Sequence, residues 1–206
     1  MQPEPLTTAH AKTLVDVYLR EQVLRGYVLG ERGRVVDTLN AVADELLLQD
    51  AQAWSPSSDS APLSIGDVVV AAEKILVVVP RQAPTSIPSA FRLGWEDGGP
   101  LNVKMGVGPF HLTGDLTEAL DDPRALTSVR QSRQGDRYLS VGDATVFSVE
   151  CTGWSTTATV AYVSRESVSF ITPTDTRAAA FRPGLSLASI SSAAYEGRAG
   201  SFSFLG

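Results

Sequence analysis

One apolar pattern is written twice in this chain, and the repetition constrains its fold more than any other feature. Val15, Leu24, Gly26 and Val28 meet Val103, Leu112, Gly114 and Leu116 at a spacing of 88 residues. The spacing then becomes 93 and holds: Asp50 meets Asp143, Ala51 Ala144, Trp54 Phe147, Val70 Val163, Glu73 Glu166, Ile75 Val168, Val77 Phe170 and Pro80 Pro173. A single five-residue insertion reconciles the two. Eight matched positions are identical, where average residue frequencies give about four over such a span. The chain therefore reads as a leader at 1–13, one unit at 14–80, a Pro/Gly linker at 81–100, a second unit at 101–175, and an Ala/Ser/Gly-rich tail at 176–206.

Within a unit the apolar period decides the elements. Val15, Val17 and Leu19 alternate with Asp16 and Tyr18, and Val23, Leu24 and Val28 resume around Gly26, which predicts a hairpin with a bulge at the glycine. Val36, Leu39, Val42 or Ala43, and Leu46 lie three to four apart, the spacing of one face of a short helical turn. "LLLQDAQAW" returns to strand, and "SPSSDSAP" is a turn cluster. "IGDVVVAA" and "KILVVVP" are β-branched runs that predict a second hairpin closed by Pro80. In the linker, Ile87, Phe91 and Trp95 are apolar enough to pack on a neighbouring unit. About five short strands and one helical turn in so short a unit hide their edges best by closing on themselves. The expected fold is thus mainly β, a tandem duplication of a small five-stranded SH3/Sm-like β-barrel with a helical turn in each copy.

Composition narrows the function classes. The 206 residues carry 17 Lys+Arg against 23 Asp+Glu, so the mean field repels phosphate backbones, and a nucleic-acid role needs a local basic patch. The one cysteine, Cys151, cannot close an internal disulfide, and no secretory pattern opens the chain, so a cytoplasmic location is expected. The longest apolar run, Ile75 to Pro80, falls far short of the ~20 residues of a spanning helix.

The stretch "VYLREQVLRGYVLGERGRVVDTLNAVADELLLQDA" resembles the first signature of Sm-like barrels: Leu19, Gly26, Asp37, Asn40 and Leu48 occupy the matching places. That likeness implies a ligand pocket for RNA at Asp37 and Asn40. The Asp-to-Asn spacing is one residue shorter than the family favours, the late Ile-Arg-Gly-like step is absent, and the second copy keeps Gly114 without a counterpart of the pair. The string from Arg34 through Asp37 to Asn40 also resembles small uncharacterised bacterial domains, which implies no activity.

Few residues suit catalysis. His10 and His111 have no partner at metal-ligand spacing, Cys151 next to Glu150 would need a base and a depressed pKa to act as a nucleophile, and Glu118, Asp121 and Asp122 lack the alternation of a calcium loop. No phosphate-loop glycine pattern occurs. "RQGDR" matches half of the cyclic-dinucleotide signature of PilZ barrels, but the companion half does not follow. Arginines fall between the bulge glycine and the Asp-Ala pair in both copies: Arg32 and Arg34, then Arg124, Arg130, Arg133 and Arg137. Guanidinium groups in such a cluster can fork onto phosphate or carboxylate.

The expected function is therefore non-enzymatic and without a cofactor. The chain would bind a protein partner or itself through barrel edges and its tail, with Trp154, Phe202, Phe204 and Leu205 as contact residues. The alternative is RNA or another phosphorylated ligand held by Arg32, Arg34, Asp37, Asn40, Arg130, Arg133 and Arg137.

Overall fold

The computed structural model describes residues 11–30, 35–42, 44–58, 60–81, 101–116, 129–130 and 136–174. Alternation builds the first hairpin, in which Ala11–Tyr18 (β1) and Val23–Gly30 (β2) pair antiparallel. The helical spacing gives Val35–Ala41 (α1), with Val35 and Leu39 buried. Leu46, expected on that helical face, belongs to Glu45–Trp54 (β3), where buried Leu46 and Leu48 flank exposed Leu47 with the period of a strand. Leu63–Ala71 (β4), a 3-10 turn at Ala72–Lys74 and Val77–Pro80 (β5) complete the first half. The second half repeats the series as Leu101–Val107 (β6), Phe110–Leu116 (β7), Tyr138–Ser148 (β8), Ser155–Ser164 (β9), a 3-10 turn at Arg165–Ser167 and Val168–Pro173 (β10). Of the connection between β7 and β8, Val129 and Arg130 are helical.

These strands form one antiparallel sheet in the order β10-β6-β7-β8-β9-β5-β1-β2-β3-β4. The fold is mainly β, as expected, but two separate closed barrels are not formed. A strand has two hydrogen-bonding edges, and β5 gives one to β1 and the other to β9, leaving none for β4 of its own half. For the same reason the expected hairpin between "IGDVVVAA" and "KILVVVP" does not occur. The 3-10 turn redirects the chain, and β4 pairs with β3 instead.

The strand order recurs nonetheless: β5-β1-β2-β3-β4 in the first half, β10-β6-β7-β8-β9 in the second. So does the register. Val15–Pro80, Asp16–Val79, Val17–Val78 and Tyr18–Val77 in the first half correspond to Val103–Pro173, Lys104–Thr172, Met105–Ile171 and Gly106–Phe170 in the second. Asp50 and Asp143, matched in sequence, both adopt left-handed backbone with φ of 52° and 43°. Each lies at an interruption of the pairing across from the matched glycine of the neighbouring strand, Gly26 on β2 or Gly114 on β7.

Two apolar cores result, and they exchange side chains. The core of the second half, around Leu112, Leu139 and Val141, takes in Tyr18, Val23, Val77 and Val79 from the first. The core of the first half, around Leu24, Leu39 and Leu48, takes in Tyr138 and Tyr162 from the second.

Candidate functional site

The chemistry of the fold concentrates where the halves meet and where the sheet ends. At the meeting point Val77 lies opposite Tyr18 on one side and Val163 on the other, and Ser164 donates from its amide to the Leu76 carbonyl at 2.9 Å. Val77, Val78 and Val79 are wholly buried. Val77 and Val79 enter one core and Val78 the other, so both faces of β5 are covered, which is why its sequence is continuously apolar and not alternating.

Beside this run lies a wholly buried carboxylate, Asp16 of β1. Arg25 on β2 forks onto it, with Nε 2.7 Å from Oδ1 and Nη2 3.0 Å from Oδ2. From the end of β5, Arg81 brings Nε to 2.6 Å from Oδ2 and pairs through Nη2 as well. Nη2 of Arg81 also donates to Thr156 Oγ1 on β9, at 3.0 Å, so one guanidinium ties the two halves together. Donating to the Asp16 carboxylate raises the affinity of Arg25 for its proton above the ordinary guanidinium range. Tyr18 packs edge-on against Phe110 at 5.4 Å and Trp154 at 6.0 Å; burial pushes its hydroxyl well above its ordinary pKa, and the Asp16 charge adds to that. This constellation is a lock between strands. Its hydrogen bonds join β1, β2, the end of β5 and β9.

The sequence-predicted residues separate under this geometry. Asp37 and Asn40 lie on α1, and Asn40 spends both ends of its amide on the second half. Its Nδ2 donates to Asp136 Oδ1 at 3.2 Å, and its Oδ1 accepts the Arg137 amide at 3.1 Å. Arg130 donates from Nη2 to the Val168 carbonyl at 3.0 Å. Trp154 is half-buried in the aromatic cluster with Tyr18 and Phe110. Arg32, Arg34, Arg124 and Arg133 lie outside the described residues, as do Phe202, Phe204 and Leu205 in the tail and Ile87, Phe91 and Trp95 in the linker. Among the described residues no group of three or more His, Cys, Asp and Glu could hold a metal ion, and no helix is long and apolar enough to cross a membrane.

The sheet ends carry what sequence reading did not single out. β4 and β10 each have one strand neighbour among the described residues, so each leaves a row of backbone donors and acceptors unclaimed by the sheet. Apolar side chains line the two ends: Val69 is 56% and Phe170 36% exposed. Their counterparts inside the sheet, Tyr162 and Val77, are 7% and 0% exposed. The spacing of 93 already matched Val77 with Phe170, and that pairing was the available signal. Compared with known proteins, the chain matches no family model, no curated protein and no solved structure.

Proposed function

We propose that this chain is a non-enzymatic protein-interaction or assembly unit, built from two copies of one small SH3/Sm-like β unit, that binds protein through the open edges of its sheet. The observation that carries this reading is the pair of edges β4 and β10, which combine unclaimed backbone groups with exposed apolar side chains at Val69 and Phe170. An added strand satisfies backbone hydrogen bonds and covers alternate side chains in one step, which gives affinity without a deep pocket. The tail at 176–206, with Phe202, Phe204 and Leu205, is the second proposed contact element. The phosphorylated-ligand alternative gains no support from Asn40, whose amide is engaged by Asp136 and Arg137.

Affinity isolation of the tagged chain beside its Val69→Lys and Phe170→Lys variants tests the reading. A charge at the middle of an edge disfavours strand addition, so the variants are expected to lose associated protein while keeping the unfolding midpoint of the parent. Equal recovery by parent and variants would count against binding through the edges.

A further inference from the structure

We infer that the occupant of these edges is a second copy of this chain, with β4 of one molecule laid antiparallel on β10 of the next in the register that joins β9 to β5 inside each molecule. The inference rests on the edge-binding reading above and adds to it the partner and the geometry.

The junction needed for such a contact already exists once within the chain. There Val163 lies opposite Val77 and Tyr162 opposite Val78. By the spacing of 93, β9 corresponds to β4 and β5 to β10, so the strands that meet internally are the counterparts of the strands left at the ends. Carried over, the register sets Val70 opposite Phe170 and Val69 opposite Ile171 of the neighbouring copy. The side chains agree with this placement. Val70 and Ile171 are buried within their own halves, as Val163 and Val78 are, whereas Val69 and Phe170 are exposed where Tyr162 and Val77 are covered by the opposite half. The exposed pair is what a further molecule would cover. Phe170 also has its ring over Gly106, in the place across the ladder that Tyr18 holds at the internal junction.

The contact is head-to-tail, because the two edges are different surfaces. Repetition then produces a closed ring where the rotation per molecule closes and a filament where it does not. The internal junction also predicts which rung accepts a cross-link. The hydrogen bond from the Ser164 amide to the Leu76 carbonyl makes that rung a hydrogen-bonded pair, so Val77 and Val163 form the next, closer kind of pair. Val70 and Phe170 inherit that position, whose Cα separation suits a disulfide.

Two full-length chains on a Cys151→Ser background, one Val70→Cys and the other Phe170→Cys, are mixed and oxidised mildly. A mixed disulfide is expected from the mixture, with none from either chain alone, and multimers from a chain carrying both changes. Val69→Cys with Ile171→Cys reports on the adjacent rung should the first pair disturb folding. Val69→Cys with Phe170→Cys is one residue out of register and should remain uncoupled. Disulfides formed by Val70→Cys chains alone would overturn the head-to-tail contact in favour of β4 on β4. A single-chain mass by light scattering, with β4 and β10 amides protected from exchange, would overturn it by showing that another part of the same chain covers the edges. If cross-linking fails while Val69→Lys still abolishes recovery of a partner, self-pairing falls and edge binding stands. If Val69→Lys and Phe170→Lys leave recovery unchanged, edge binding itself falls.

Discussion

Gly114 occupies a position with no room for a side chain. A Cβ there would lie 2.6 Å from the Gly142 carbonyl oxygen and 3.1 Å from the Ala144 Cα, both backbone atoms that cannot swing aside. At the matched Gly26 the nearest approach, to the Gln49 carbonyl oxygen, is a looser 3.0 Å. Gly114→Ala is therefore expected to cost about 1–3 kcal/mol, as overpacking does, and Gly26→Ala less, both read from urea unfolding midpoints. The glycines and the Asp-Ala pairs were legible in sequence as matched positions. Their reason was not: Asp50 and Asp143 sit in left-handed backbone at pairing interruptions, and an aspartate in a strand-like run gives no sign of its φ. Aspartate tolerates that region better than most residues, which is consistent with its presence in both halves.

Among the elements, the first hairpin follows the alternation that announced it, because pairing across a short turn is decided locally. The partner of β5 is decided at long range. "KILVVVP" shows a buried strand, yet three adjacent valines do not distinguish β4 from β1 and β9 as neighbours. Nor could the sequence indicate that Asp16, set in an apolar alternation, would be buried between Arg25 and Arg81. Asp16 is buried, but the side chains of Arg25 and Arg81 are partly exposed and keep water in its absence, so Asp16→Ala is expected to destabilise by about 1.5–3 kcal/mol, the range of hydrogen bonds to charged groups. Denaturant titration checks this, and a change below about 1 kcal/mol, the range of exposed pairs, would show that the group is weakly held.

For the molecule as a whole, two tyrosines report on both cores. Tyr138, from the second half, stands in the core of the first, and burial pushes its hydroxyl up to about 12 from an ordinary 10.0. Tyr18 stands in the opposite core and is raised in the same direction. The unfolded chain ionises these groups first, so stability holds below about pH 10 and declines as pH rises through about 12, by on the order of 2 kcal/mol for Tyr138. Unfolding midpoints across this range, beside Tyr138→Phe, would show the decline flattened in the variant.

The loan of side chains between the cores also bears on descent. A half released by recombination would open holes where Val77 and Val79, or Tyr138 and Tyr162, had stood. Neither half could be inherited alone without new side chains to fill those places.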